Sequence, residues 1–196
     1  MLIAVHFGPL DHGRPVNEDE LRTAEFQVRF EYQIFFGRLY VSPAPAFEND
    51  WMEKWIFGQS FMYSRQYSNV AAYVTDRARV FIPCTDKTTA PEPDVAIYSS
   101  IPSGDWRTAT PLIVGEVLDG DVERVLSRNV DLYSRLPSIQ EVWVFDIRQS
   151  ARRPELIVHR RTADRWDVLE FDADHVYQTP LLPGLMLVIA PEQSDA

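Results

Sequence analysis

The stretch Pro111-Leu-Ile-Val-Gly-Glu-Val-Leu118 is the most informative part of this chain. It is apolar apart from one carboxylate, and the alternation of side chains along a strand places Leu112, Val114, Glu116 and Leu118 on one face. Burying an unpaired carboxylate is costly, so Glu116 needs a cation, a proton or an opening to water. Pairing with an arginine would meet that need as well as a functional site would.

A helix and a second apolar strand follow this stretch. Apolar residues recur at helical spacing over 122–136, and Glu141-Val-Trp-Val-Phe-Asp146 is again almost continuously apolar. The order strand, helix, strand predicts a parallel crossover in a sheet that is covered on both faces. With hairpins predicted over 30–41 and 155–171, we expect an α/β (α+β) fold, a mixed sheet core flanked by helices with N-terminal and C-terminal β-hairpins.

The remaining sequence predicts a single domain over residues 1–196. An irregular arm is expected at 1–16, which has no clear hydrophobic period, and a tail at 190–196. Asn17 is a predicted N-cap, because acidic residues crowd the turn that follows it. Further predicted elements are a helix over 18–26, a long helix over 48–67, and strands over 71–75, 79–82, 94–98 and 186–189.

Composition limits the class of protein. The formal net charge is −10. This charge argues against a protein that mainly binds nucleic acid, because affinity for the backbone comes from neutralising phosphates. The single cysteine, Cys84, excludes an internal disulfide and fits a reducing cytoplasm. No segment is apolar for long enough to span a bilayer, and the N-terminus lacks a basic leader. We therefore expect a cytoplasmic protein that does not enter a membrane.

A second acidic residue, Asp94, begins the strand predicted over 94–98, directly after Pro93. If this strand is a neighbour of the strand that carries Glu116, the two carboxylates can hold Mg²⁺ or Mn²⁺, with the carbonyl of Val117 and water completing the shell. Such an ion lowers the pKa of bound water and stabilises charge on a phosphate under attack. Taken alone, Asp94 is equally consistent with an ordinary residue at the start of a strand.

Several segments, in their order and spacing, resemble one known family. They are Phe30-Glu-Tyr32 with Gly37-Arg-Leu-Tyr-Val-Ser-Pro43, Glu92-Pro-Asp-Val-Ala-Ile97, the stretch 111–118, Arg128-Asn-Val-Asp-Leu-Tyr133, Ile139-Gln-Glu-Val-Trp-Val-Phe-Asp146 and Leu181-Leu-Pro-Gly-Leu185. Together they are similar to the Uma family of putative restriction endonucleases, within the PD-(D/E)XK nuclease superfamily. The resemblance covers 18–189.

This resemblance implies a restriction-endonuclease-like fold and Mg²⁺-dependent (or Mn²⁺-dependent) cleavage of DNA. It implies that Asp94 and Glu116 are metal ligands, and Glu31 matches a further acidic residue of the family's early hairpin. An exposed glutamate on a strand edge is an equally good interpretation of Glu31. Homodimerisation is expected from the base rate for soluble proteins alone.

The chain departs from the pattern at the site lysine. The superfamily has lysine two residues after the second acid, where this chain has Leu118, and the helical position that commonly supplies the lysine in the Uma family is Asn129 here. Helical spacing places Asn129 on the face that packs on the sheet, towards the acids. Asparagine carries no charge, although it can orient a nucleophile. The neighbouring Arg128 stays protonated and is a poor base, and Lys87 is the one lysine that could approach from the loop ahead of Asp94.

Two hypotheses follow from this departure. In the first, the protein is a metal-dependent endonuclease in which Asp94 and Glu116 bind the ion, while Arg128 or Asn129 assists the water or the departing oxygen. In the second, it is a catalytically degenerate member of the fold that acts as a binding or scaffolding module. The net charge of −10 and the missing lysine favour the second hypothesis, and the acidic pair favours the first.

Overall fold

A computed structural model describes residues 5–83, 87–120 and 123–191. Cys84, the predicted start of the crossover helix at Val122 and the outer ends of the predicted arm and tail lie outside the described residues. Within them, no helix is both long and apolar enough to cross a membrane.

A six-stranded mixed sheet forms the centre of the fold. Its strand order is β10-β9-β8-β7-β6-β5, and β7 and β8 are parallel while every other neighbouring pair is antiparallel. The strands are β5 (Tyr73–Thr75), β6 (Val95–Tyr98), β7 (Ile113–Leu118), β8 (Glu141–Asp146), β9 (Glu155–Arg161) and β10 (Trp166–Phe171). The predicted parallel crossover and the C-terminal hairpin are confirmed, and β6 and β7 are neighbours.

Helices cover the two faces of this sheet. The long helix α2 (Phe47–Gln66) matches its predicted bounds to within a residue. On the other face, a π-helical segment (Glu123–Asn129) runs directly into α3 (Val130–Ser134), where one α-helix was expected. A π-helix bonds each residue to the fifth along the chain, and such turns are frequent at functional sites.

Two hydrophobic clusters show that the sheet is buried on both sides. One contains Ile113, Val117 and Trp143 under α2, and the other contains Val114, Leu118 and Tyr133 under α3. The alternation predicted for Val114, Glu116 and Leu118 is therefore confirmed. Leu112 packs with the opposite cluster, contrary to the prediction, because the strand begins one residue later, at Ile113.

The N-terminal region is more ordered than an irregular arm. Strand β1 (Val5–Phe7) pairs in parallel with β2 (Ala24–Phe26), and short 3₁₀ turns lie at Pro9–Asp11 and Trp106–Thr108. Asn17 is the N-cap, as predicted, and accepts a hydrogen bond from the Glu20 N–H. However, helix α1 (Glu18–Arg22) ends four residues early, because the chain leaves it to form β2 beside β1. The arm prediction was wrong because Phe7 is buried by distant residues rather than by a local period.

The N-terminal hairpin is confirmed as β3 (Phe30–Phe35) and β4 (Arg38–Pro43), and Gly37 supplies the turn with φ of 72°. The strand predicted over 79–82 is not formed beyond single bridges and hydrogen bonds, such as that from the Val80 N–H to the Pro91 carbonyl. Prolines opposite it cannot donate to a ladder. The last predicted strand is shorter, with β12 (Leu187–Val188) pairing with β11 (Val176–Tyr177).

Candidate functional site

Asp94 and Glu116 lie side by side on neighbouring strands. The antiparallel register pairs Val95 with Gly115, so the next position along places Asp94 beside Glu116. The backbone N–H of Val117 donates a hydrogen bond of 2.6 Å to Asp94 Oδ2, which ties the half-buried aspartate to the end of β7. The structure thus brings together the two residues that the sequence singled out, by strand pairing rather than by a loop.

Glu116 is held from behind by the crossover helix. Its side chain is only 2% exposed, and its Oε1 accepts hydrogen bonds from the Tyr133 hydroxyl at 2.6 Å and from Asn129 Nδ2 at 3.0 Å. The two donors are four residues apart, so they project from successive turns of one helix face. Asn129 points towards the acids, and it is fully buried beneath Glu116. The sequence interpretation missed the role of Tyr133, although the same helical spacing that found Asn129 would have indicated it.

One cleft of about 420 Å³ contains most of the predicted site residues. It is bounded by β3 and β4, by the start of α2 and by the end of β7. Glu31, Asp94, Glu116, Val117 and Arg128 all line this cleft, whereas Asn129 supports it from below. His12, from the supposed arm, also lines it. Five of the six predicted residues therefore share one solvent-accessible space.

Arg128 is the cation at the wall of the cleft. Its guanidinium lies 3.7 Å from the centre of the buried Phe35 ring and 5.5 Å from that of Tyr40. A guanidinium over an aromatic face is attracted by the ring's electron density, so the contacts hold Arg128 in place on the hairpin. The side chain keeps its charge at any ordinary pH, and it faces the space that the carboxylates share.

A second charged group adjoins the site, and the sequence interpretation did not find it. Arg77 Nη2 lies 3.1 Å from Glu53 and 3.4 Å from Glu31. Glu53 projects from α2 and is only 1% exposed. The three residues come from β3, α2 and the turn after β5, so no local spacing signals their meeting.

Burial and neighbouring carboxylates raise the pKa values of two acidic residues at the site, Asp94 and Glu53. Burial, followed by the charges of Glu116, Glu53 and Glu31, raises the pKa of Asp94 well above its ordinary value, against the lowering effect of the Val117 N–H. Burial also raises the pKa of Glu53, and the Arg77 guanidinium opposes that shift. Carboxylates placed together with too little positive charge favour protons or a cation.

A hard divalent cation fits this donor set. No group of three or more His, Cys, Asp or Glu side chains suited to a metal occurs in the described part of the chain, so the protein offers a pair of carboxylates and the carbonyl of Val117. Mg²⁺ commonly keeps several waters and is bound through one or two carboxylates. Two carboxylates match the number through which Mg²⁺ is commonly bound, and the set is too sparse for a metal caged entirely by protein groups.

The lysines lie elsewhere. Lys54 pairs with Asp76 at 3.1 Å, and Lys87 packs its stem against Gly37, on the far side of the hairpin turn. Among the described residues that line the cleft, none is a lysine. The prediction that Lys87 could approach the acids is not supported by this arrangement, because Lys87 lines other surface pockets.

Comparisons with known proteins agree with the fold. The sequence model of the family described as Uma2, putative restriction endonuclease, matches residues 18–190. A crystal structure described as a putative nuclease belonging to DUF820, from Anabaena variabilis, is similar with a TM-score of 0.65 and 17% identity, covering 89% of this chain and 96% of that chain. At that identity the likeness concerns the fold alone. No curated protein matches the chain.

Proposed function

The chain belongs to the Uma2 family of putative restriction endonucleases, and from that premise we propose that it is a Mg²⁺-dependent (or Mn²⁺-dependent) endonuclease that hydrolyses phosphodiester bonds of DNA. One observation carries the proposal. Asp94 and Glu116 adjoin each other across β6 and β7 and line a cleft with Arg128. Two carboxylates can bind a divalent ion, and one guanidinium can bind a phosphate, so the cleft offers groups that can serve phosphodiester hydrolysis.

Asp94 and Glu116 would hold the ion, with the Val117 carbonyl as a third oxygen donor. When bound, the ion supplies an activated water and stabilises charge on the phosphate. The protein supplies orientation. The Val117 N–H fixes Asp94, and the Tyr133 hydroxyl with the Asn129 amide fixes Glu116, so neither carboxylate has to be reordered when an ion arrives.

Arg128 is proposed to bind the phosphate. Its guanidinium can donate two parallel hydrogen bonds to phosphate oxygens, and its seat on Phe35 removes part of the entropy cost of ordering a long side chain. Because it remains protonated, it stabilises negative charge and does not take a proton from water. Glu31, half-buried on the cleft wall and within reach of Arg77, is proposed to add negative charge near the ion.

Asn129 is proposed to act as a positioning residue. It is fully buried and donates to Glu116, so it acts on the reaction through that carboxylate. No lysine among the described residues lines the cleft, so a bound ion would have to supply the activated water without help from a lysine.

Plasmid cleavage with Mg²⁺ or Mn²⁺ tests the proposal. Wild type is expected to nick or linearise the plasmid, Glu116→Gln is expected to be inactive, and the exposed, distant Glu170→Gln is expected to match wild type. Glutamine keeps the size of Glu116 while removing its charge, so folding can be verified by thermal melting. Equal activity of wild type and Glu116→Gln, or none in either, would remove support for the enzyme.

A second candidate function rests on Asn129 as a neutral group in the place of a cation. With only an amide there, the chain would be a degenerate binding or scaffolding module of the same fold. Calorimetric titration of Mg²⁺ or Mn²⁺ into wild type and Asp94→Asn separates the candidates, because an inert site would show no affinity that depends on Asp94. Nuclease activity that arises only in Asn129→Lys would favour the degenerate module.

A further inference from the structure

The hairpin of β3 and β4 has two different faces. One face packs into a small hydrophobic cluster through Tyr32, Ile34 and Leu39. On the other face, Gln33 and Tyr40 are direct partners in the antiparallel register and both line the cleft. Partners of this kind have their Cβ atoms about 5 Å apart. An aromatic ring and an amide therefore lie next to each other on the wall of the cleft.

Two amides lining this cleft have oxygens without a donor. Gln33 and Asn49 are 6% and 5% exposed, and their side-chain oxygens receive no hydrogen bond from the residues that the structure describes. Asn49 is oriented by its Nδ2, which donates a hydrogen bond of 3.1 Å to Asp119 Oδ2. Buried polar atoms nearly always have partners. Two such acceptors lining one cleft indicate a ligand that brings N–H or O–H groups.

Tyr40 offers a surface for stacking. Its ring meets His12 and Phe35 edge to face, with centres 5.4 Å and 5.2 Å apart, and 36% of the residue remains exposed. Edge contacts fix the plane of a ring. A planar ligand can stack on such a fixed ring with little loss of side-chain entropy.

The size of the cleft and the net charge of the whole chain favour a single nucleotide over a duplex. A volume of about 420 Å³ is that of a small-molecule site. The net charge of −10 is unfavourable for binding the two phosphate backbones of a duplex, because that binding needs many cationic side chains. The N–H groups on the Watson–Crick edge of a base are used up by pairing in a duplex, and they are available to protein acceptors only when the base is unpaired.

We propose that the cleft binds one unpaired nucleotide of a DNA strand, with the base stacked on Tyr40, its N–H edge on the oxygens of Gln33 and Asn49, and its phosphate at Arg128. The inference rests on the proposed nuclease function and specifies its substrate: single-stranded DNA, or a duplex with a displaced base. The phosphate then faces Asp94 and Glu116, so the base contacts determine which bond is presented to the acids.

Binding of a labelled deoxycytidine oligomer, measured by fluorescence anisotropy with Ca²⁺ in place of Mg²⁺, tests this inference without requiring cleavage. Wild type is expected to bind the single strand about tenfold more tightly than the same sequence in a duplex, and a bulged deoxycytidine is expected to restore binding to the duplex. Tyr40→Ala is expected to lose about tenfold in affinity for the single strand, because one base loses its stacking partner. Tyr40→Phe, which keeps the ring, is expected to bind as wild type does.

Two changes test the hydrogen bonds to the amide oxygens, one in the DNA base and one in the protein. An oligomer of N4,N4-dimethyldeoxycytidine lacks the base N–H groups, and wild type is expected to bind it several-fold more weakly than the unmethylated strand. Gln33→Leu is expected to lose most of that discrimination while melting at the same temperature as wild type or higher, because it removes a buried oxygen that has no partner in the described structure. A purely structural glutamine would change melting and leave the discrimination intact.

Tyr73→Ala, at the exposed edge of β5 and away from the cleft, is the matched control for Tyr40→Ala. Equal affinity for single strand and duplex, unchanged affinity in Tyr40→Ala and Gln33→Leu, or no binding of any DNA would each overturn the inference. Single-strand binding that depends on Tyr40, in a protein that cleaves nothing, would support this site and contradict only the proposed endonuclease.

Discussion

Tyr133 and Glu116 are joined by a hydrogen bond of 2.6 Å that runs from the tyrosine hydroxyl to Oε1 of the carboxylate, across the interface of helix and sheet. Both side chains are buried, and Asn129 donates to the same oxygen. A carboxylate held by two donors from one helix has a single favoured orientation. The crossover helix therefore determines how Glu116 faces the cleft, although the carboxylate itself belongs to β7.

Tyr133→Phe is expected to lower the free energy of unfolding at neutral pH by about 2 kcal/mol, because a hydrogen bond to a charged acceptor is lost in the interior. Affinity for Mg²⁺ is expected to fall with it, since Glu116 then loses the shorter of the two hydrogen bonds that it accepts from the crossover helix. Urea denaturation and calorimetry measure the two effects. Tyr63→Phe is the matched control, because that hydroxyl donates to the neutral carbonyl of Pro183 and its loss is expected to cost about half as much. Equal losses in the two variants would contradict the special role of Tyr133.

Without metal, the protein is expected to lose stability as the pH rises, through Asp94. Burial and the nearby carboxylates raise the pKa of Asp94 in the folded state well above 3.8. A raised pKa means that the folded state binds this proton more tightly, so the stabilisation is complete below the unfolded pKa and is lost as the pH rises through the folded pKa. Thermal melting in a chelator across this range measures the slope, and Asp94→Asn is expected to flatten it.

Mg²⁺ is expected to restore the stability lost at higher pH, because metals bind the deprotonated carboxylate and stabilise the folded state by mass action. The exposed Asp164→Asn serves as the control and is expected to keep the wild-type profile. Parallel profiles for wild type and Asp94→Asn, with and without Mg²⁺, would contradict the assignment of the proton to this site.

Acid is expected to destabilise the fold through His159 on β9. Burial lowers the pKa of His159 below its ordinary value of 6.5, and its Nε2 lacks a hydrogen-bond partner among the described residues. With a lowered folded pKa, the contribution is present above 6.5 and is lost as the pH falls through the folded pKa. His159→Leu is expected to reduce this loss, as measured by denaturation at stepped pH, whereas the exposed His6→Gln is expected to leave it unchanged. An identical acid profile for His159→Leu would contradict the prediction.

Arg77→Met is expected to destabilise the protein by about 2 kcal/mol at neutral pH, because Glu53 would be left buried without its cation. The loss is expected to shrink in acid. The folded pKa of Glu53 is already raised by burial, so a proton can replace the missing arginine as the pH falls through it. Chemical denaturation of Arg77→Met and of the double variant with Glu53→Gln checks this, and the double variant is expected to recover most of the loss. A double variant that is no more stable than Arg77→Met would show that Arg77 acts through other contacts.

Elements whose hydrophobic period is local could be predicted from the amino-acid sequence alone. Strands β6, β7 and β8, the crossover between the last two, the long helix and both hairpins follow from apolar runs, alternation and turn residues. The resemblance to the Uma family, which the family match over 18–190 confirms, also selected Asp94 and Glu116. Their roles, like the single domain and the homodimer, stay predictions.

Which side chains meet depends on the tertiary structure. Tyr133 contacts Glu116 across 17 positions of sequence and Arg77 contacts Glu53 across 24, while Gln33 and Asn49 line one cleft. Part of the predicted arm, Val5–Phe7, forms a strand for the same reason. Phe7 is buried there by residues of the hairpin and of β2. A hydrophobic period states which face of an element is buried, because burial depends on the residue's own chemistry. It does not state which partner covers that face, because partners are chosen by packing and charge across the whole fold.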